Sequence, residues 1–223
     1  MNWRASVFLF AASTLGAQML PLPGLGGTHV GGSKVPALIS HTINSSSAST
    51  VTTDAINTTG ATLLVVVVNC WLGTLNAPTS SPANTWSVLY SAGGGTGYYY
   101  SLSPVTSASQ TFSVVNSGSG YNHTIAVMAF NGVSVLDTSA ASTDTQPGSI
   151  TPAANGELLI SMAGGFATPV APTVNSGFTI LDSGNYVTTS TAWQVQGTAA
   201  PINPTWTWDD EGYGRSVMIA AFK

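Results

Sequence analysis

The stretch GYNHTIAVMAF at residues 120–130 recurs as GYGRSVMIAAF at residues 212–222. A second stretch, NTWSVLYS at residues 84–91, recurs as SGFTILDS at residues 176–183. Both alignments need the same shift along the chain, which is hard to obtain by chance. The recurrence predicts a fold built from two similar units of about ninety residues each.

Each unit is composed of short stretches typical of β-strands, and neither contains a sustained apolar period of 3.6 residues. The stretch from Thr62 to Trp71 is apolar on both faces, as expected of a central strand that is covered on both sides. The segment Val133 to Pro152 is interpreted as a connection between the units. The predicted strands cover residues 37–43, 62–71, 86–90, 98–102, 112–115, 124–130, 157–163, 178–181, 193–196, 205–208 and 217–222.

This spacing of strands and turns predicts an all-β protein, a jelly-roll-like antiparallel β-sandwich built from two pseudo-repeats. The pseudo-repeats span about residues 36–133 and 150–223. A single unit would leave one apolar face open, and packing the two units together would bury it. We therefore expect one domain, residues 36–223, preceded by an N-terminal segment, residues 1–35.

The N-terminal segment permits two interpretations. Arg4 followed by the apolar run Ala5 to Ala17 resembles a secretory signal peptide, and Pro21 to Ser33 is a Pro- and Gly-rich linker. The apolar run is too short for a stable membrane span. The segment is either cleaved after export or retained as an assembly arm, and both alternatives stay open here.

Charge is scarce throughout the chain. Charged residues make up 5% of the sequence and the formal net charge is −4, whereas ordinary globular proteins contain about 25% charged residues. Such a surface disfavours binding to a nucleic-acid backbone. The abundance of Ser, Thr, Asn and Gly instead suits an extracellular, cell-surface or virion-surface protein.

Four motifs carry a resemblance to a known group of proteins. The motifs are TTGATLLVVVV, NTWSVLY, AVMAFNGV, and NPTWTW with AAFK near the end of the chain. The chain resembles poorly characterised lectin-like β-sandwich proteins, of concanavalin or jelly-roll type, that occur as bacterial secreted proteins and as phage virion proteins. The resemblance covers about residues 36–223 and implies a structural or binding role at an extracellular or virion surface. Where that group reads Asp-x-x-Gly-Asn-Thr-Trp, residues 80–86 read SSPANTW, so no ion site is carried over.

The strongest candidates for ligand binding are Tyr121 and Tyr213, which occupy equivalent positions in the two units. A tyrosine ring can stack on the face of a sugar, while polar neighbours such as Asn122 and His123 bind the hydroxyl groups of that sugar. The alternative is a structural role, in which both rings cover the rim of the sandwich.

One acidic cluster, Asp209, Asp210 and Glu211, precedes the last predicted strand. Consecutive carboxylates could bind Ca²⁺, but they lack the spacing of a known calcium loop, so a solvated acidic turn is the favoured interpretation. The single cysteine, Cys70, is interpreted as a small buried apolar residue.

Aromatic residues on the strand patterns are expected to pack in the core, while the run 98–100 of three tyrosines is expected to place at least one ring outward. These core candidates are Trp86, Trp193, Trp206 and Trp208. No nucleophile elbow and no zinc spacing occurs, and the sequence therefore predicts a protein that is not an enzyme.

The favoured function is a self-assembling structural subunit of a virion or extracellular appendage, with copies of itself or other structural subunits as partners. The alternative is a secreted carbohydrate-binding module, assisted by Ca²⁺ if the acidic cluster binds it. A third alternative is a polysaccharide-active enzyme, kept only because β-sandwiches can carry such sites.

Overall fold

The structure is a computed structural model that describes residues 34–70, 73–92, 95–117, 122–165, 172–184, 188–207 and 215–223. These residues contain fifteen β-strands and no helix, and every pair of strands among them is antiparallel. The all-β prediction is therefore confirmed. The strands are β1 Ala37–Ser46, β2 Thr50–Thr52, β3 Leu63–Cys70, β4 Thr79–Ser81, β5 Ser87–Ala92, β6 Thr96–Leu102, β7 Thr111–Val115, β8 His123–Asn131, β9 Leu136–Ser142, β10 Glu157–Gly165, β11 Thr173–Val174, β12 Thr179–Ser183, β13 Thr188–Gln196, β14 Trp206–Thr207 and β15 Ser216–Phe222.

The first large sheet has the strand order β1-β8-β3-β6-β5. Its central strand, β3, pairs with β6 on one side and β8 on the other, and all eight of its residues are buried. Because successive side chains of a strand point to opposite faces, the unbroken apolar run Leu63 to Val68 supplies buried residues to both faces of the sheet. The predicted central strand is confirmed.

The second large sheet has the order β12-β13-β10-β15-β9. The first sheet has the same order when β1, β3, β5, β6 and β8 are matched to β9, β10, β12, β13 and β15. Even a register shift recurs, because β5 skips Leu89 and β12 skips Leu181 in pairing with their neighbours. Each large sheet is formed by one contiguous part of the chain, and these connections do not confirm a jelly roll.

The main core lies between the two large sheets. Alternate residues of β3 and β10 point into it from opposite sides, and aromatic contacts cross between the sheets in both directions. Phe130 of β8 packs against Trp193 of β13 with ring centroids 5.5 Å apart, and Phe222 of β15 packs against Tyr100 of β6 at 5.7 Å. Phe130 and Phe222 are equivalent in the sequence alignment, and their partners lie in the matching strands β13 and β6. Each sheet therefore contributes an equivalent phenylalanine that packs on an aromatic ring of the other sheet.

Two outer cores cover the remaining faces and make the body four layers deep. The sheet β2-β7-β4 packs Phe112 and Val114 on the first large sheet, and the pair β11-β14 packs Trp206 on the second. Trp86 packs in the first outer core, 6.3 Å from Phe112, and Trp193 packs in the main core. Core packing is thus confirmed for these three tryptophans, while Trp208 lies outside the described residues.

Two sequence-based expectations fail, the first because both faces of each sheet are covered. Tyr98 and Tyr99 are buried and Tyr100 packs against the main core, so none of the three rings is fully exposed. The predicted connection from Val133 to Pro152 contains β9, which forms the edge of the second large sheet. The sequence LDTSAAS of β9 shows no clear apolar alternation, because small residues such as Ala140 and Ala141 make much of its core contact.

Candidate functional site

The two large sheets share one end, called here the loop end, where a hydrogen bond joins the end of β3 to the end of β10. At the loop end β3 and β10 finish, and β6, β8, β13 and β15 begin. The candidate ligand contacts Tyr121 and Tyr213 lie outside the described residues, as do the candidate calcium ligands Asp209, Asp210 and Glu211.

Two of the predicted ligand contacts can be placed. Asn122 is exposed immediately before β8. His123 begins β8 and is fully buried, with its Cα paired with Cys70 of β3 and with Ser46 of β1. The exposure of Asn122 suits a surface contact, whereas the burial of His123 does not favour one.

A polar cluster closes the inter-sheet space at the loop end. Asn69 of β3 donates from Nδ2 to the main-chain oxygen of Gly165 at 3.0 Å, and Thr96 donates to Asn69 Oδ1 at 2.8 Å. A Cβ atom added to Gly164 would lie 2.7 Å from Thr96 Cγ2, so only glycine allows this close approach of the sheets. These contacts join the two large sheets and satisfy the side chains that make them.

The Tyr98 hydroxyl joins the sheets at a second point of the loop end. It donates to the main-chain oxygen of Ser216 at 2.8 Å and lies 3.0 Å from Ser216 Oγ. Burial raises the pKa of Tyr98 well above its usual range, against the smaller opposing effect of the Ser216 hydrogen bond. Tyr98 therefore stays a neutral donor, and its role here is structural.

An Asp–His pair links the two sheets where their edges meet. His41 Nδ1 on β1 lies 3.0 Å from Asp182 Oδ1 on β12, and Thr191 donates to Asp182 Oδ2 at 3.4 Å. His41 is 38% exposed whereas Asp182 is 8% exposed, so the pair is open to solvent from one side. Sequence reasoning missed this pair because its members are 141 positions apart.

The turn at residues 80–86 is held by the side-chain amide of Asn84. Asn84 accepts from the Val105 N–H at 2.7 Å and donates to the Val105 main-chain oxygen at 3.1 Å. The buried Gln110 donates from Nε2 to the main-chain oxygen of Pro82 in the same turn at 3.1 Å. Two side-chain amides therefore hold this turn in place.

No group of three His, Cys, Asp or Glu residues that could hold a metal ion occurs in the part of the chain that the structure describes. Cys70 is fully buried and forms no disulfide, and burial raises the pKa of its thiol. Because the thiolate is the reactive form, this environment disfavours nucleophilic chemistry at Cys70. The interpretation of Cys70 as a buried apolar residue is confirmed.

The two large sheets have four edge strands, whose outer backbone N–H and C=O groups could pair with a further strand. Each edge strand contains one register shift, located at Ile39 in β1, Leu89 in β5, Asp137 in β9 and Leu181 in β12. Such bulges interrupt the regular row of backbone groups and limit edge-to-edge pairing. The position of the bulge therefore decides how much of each edge could accept another strand.

No family model, no curated protein and no solved structure matches this chain. Among the described residues, no helix is long and apolar enough to cross a membrane.

Proposed function

We propose that this protein is a non-enzymatic structural subunit that self-assembles at an extracellular, cell or virion surface, and that β1 is the strand through which copies pair. The observation that supports this proposal best is the position of β1 at the edge of its sheet. From Ser40 to Ser46 this strand pairs with β8 on one side without interruption, and it is the last strand of its sheet on the other.

The other edges offer shorter regular runs. In β9 the longest stretch that pairs without interruption is Thr138–Ser142, and in β5 it is Tyr90–Ala92. The strand β12 is divided by its bulge and has a buried carboxylate at Asp182. The seven residues Ser40–Ser46 exceed the usual strand length of about five to six residues. The edge of β1 is therefore the longest template for a further strand.

The composition of β1 also favours pairing. Natural edge strands avoid association through charged residues, especially lysine, and through proline. The strand ALISHTINSS contains none of these apart from the titratable His41. Two copies of β1 could thus pair antiparallel without bringing like charges together, which is the usual geometry of strand addition.

The experiment is to measure the oligomeric state of the full chain by light scattering over a range of concentrations, with intact mass spectrometry of the same sample. We expect particles larger than a monomer. A chain that stays monomeric at every concentration contradicts the assembly function, and glycan binding by that monomer would support the carbohydrate-binding alternative.

The role of β1 is tested by Thr42→Lys, with Val88→Lys on edge strand β5 as the matched control. Thr42 makes no side-chain hydrogen bond among the described residues, and Val88 is 60% exposed, so both variants should fold. We expect Thr42→Lys to weaken self-association by about tenfold or more, equivalent to about 1.4 kcal/mol, and Val88→Lys to leave it unchanged. Equal association of both variants would show that copies pair through a different surface.

A further inference from the structure

A row of polar residues crosses the second large sheet at the end opposite the loop end. Leu158 of β10 pairs with Phe222 of β15, and Glu157 pairs with Gln196 of β13. The chain continues from Phe222 to Lys223, which pairs through its backbone with Val135 just before β9. The row therefore runs Gln196, Glu157, Lys223, Asp137, with Asp137 at the bulge of β9.

Asp137 has a donor for each of its carboxyl oxygens. Lys223 Nζ binds Oδ1, and the Ala153 N–H donates to Oδ2 at 2.8 Å. The hydrogen bond from Lys223, followed by the one from Ala153, lowers the pKa of Asp137 below its usual value. Asp137 is thus the ionised member of the row.

Glu157 lies in the opposite environment. It is 1% exposed, and only its Oε1 atom has a donor, the Ala154 N–H at 2.7 Å. Its Oε2 atom is buried and finds no donor among the described residues, and the same is true of Oε1 of Gln196 directly opposite. The Gln196 amide nitrogen is already used, since it donates to the main-chain oxygen of Ala200 at 3.1 Å.

An ionised Glu157 would therefore place a buried negative oxygen among other acceptors, which is strongly unfavourable. A proton on Oε2 supplies the donor that this environment lacks. We propose that Glu157 keeps its proton in the folded protein and donates it to the Asp137 carboxylate, forming a proton-dependent clasp that fastens edge strand β9 to the start of β10.

The charges around the clasp agree with this assignment. Lys223 is the one cation in the row, and it is bound to Asp137. The loop before β10 contributes main-chain N–H groups, and β13 contributes the neutral Gln196. The further cation Lys34 lines a groove of about 520 Å³ together with Lys223 and Ser134, and Glu157 does not line that groove.

The direction of titration gives the clasp its pH dependence. Burial raises the pKa of Glu157 above its usual value of 4.5. The Ala154 hydrogen bond opposes this increase in pKa, and the negative charge of Asp137 adds to it. A raised carboxyl pKa in the folded state means that the stabilisation is complete below the unfolded value and is lost as pH rises through the folded value. The clasp is therefore closed in acid and opens as Glu157 ionises beside Asp137.

The test is a pair of measurements on the full chain. Carbon NMR of the labelled Glu157 carboxyl group should give a midpoint above 4.5, and a midpoint at or below 4.5 would overturn the proposal. Hydrogen exchange of the β9 amides, corrected for the intrinsic rate, should accelerate as pH rises through that midpoint.

The variant Glu157→Gln keeps a side-chain donor without a titrating group. It should abolish the pH-dependent change in β9 exchange, whereas Asp54→Asn, which removes an exposed carboxylate from the first half of the chain, should leave it intact. A Glu157→Gln protein whose β9 exchange changes with pH as in the wild type would overturn the proposal. If that variant fails to fold, the wild-type titration still decides the question.

Discussion

The two large sheets share one strand order, yet their central strands meet the outer layers with different chemistry. In the first, Val66 of β3 contributes to an outer core that includes Phe112. In the second, the equivalent position of β10 is Ser161, whose hydroxyl accepts from Trp206 Nε1 at 2.9 Å. The indole ring brings a polar N–H into the core, and a serine in the neighbouring sheet satisfies it. Equivalent layers can therefore be filled by different residues provided that the partners change together.

The largest expected effect tests the reciprocity of the main core. Phe130 and Phe222 are both fully buried, and each packs on an aromatic ring of the opposite sheet. Phe130→Ala and Phe222→Ala should each lower the free energy of unfolding by about 3–5 kcal/mol, because each leaves a cavity between the sheets. Urea unfolding of the two variants should give losses that agree within about 1 kcal/mol. A clearly unequal pair of losses would show that the two halves contribute differently to the core.

The next effect concerns the outer layer of the second sheet. Ser161→Val gives β10 the residue type of β3, but it leaves the buried Trp206 N–H without its acceptor. The free energy of unfolding should fall by about 1–3 kcal/mol. Adding Trp206→Phe removes the unsatisfied N–H, so the double variant should lose less than the sum of the two single changes. Additive losses in this double-mutant cycle would contradict the proposed compensation.

The smallest effect is expected at the edge where β1 and β12 meet. The pair His41–Asp182 has no counterpart at the other edge, where the positions equivalent to Asp182 and His41 are Tyr90 and Ser139. Because His41 is 38% exposed, His41→Ala should reduce the free energy of unfolding by about 1 kcal/mol or less. Ser139→Ala is the matched control. A loss above about 3 kcal/mol would mean that Asp182 behaves as a buried charge that needs its partner.

The strands could be predicted where large apolar side chains report on burial, and not where small side chains make the core contacts. The run Leu63 to Val68 identified a central strand because a strand covered on both sides must be apolar on both sides. The strand β9 has no such signal and was interpreted as a connection. The outward tyrosine expected at residues 98–100 is wrong because the outer layers cover the second face of each sheet.

The candidate site was less predictable than the fold. Tyr121, Tyr213 and the acidic cluster lie outside the described residues, whereas Asn122 is exposed and His123 is buried. No sequence pattern indicates that His123 is buried, or that His41 and Asp182 meet. Residues far apart in the chain approach one another only after the strand register is set, and one-residue shifts reverse the face to which a side chain points.

By itself the sequence determined the all-β class and the central strands, since apolar alternation, turn residues and the recurrence of similar stretches depend on local geometry. Tertiary structure alone decided which edges are open, where the bulges interrupt them and which polar atoms are left without donors. Asp137 and Glu157 illustrate the reason, because neither is unusual until pairing places both beside Lys223 and burial removes Glu157 from water. Protonation and edge exposure are properties of an environment, and the environment exists only when the sheets have assembled.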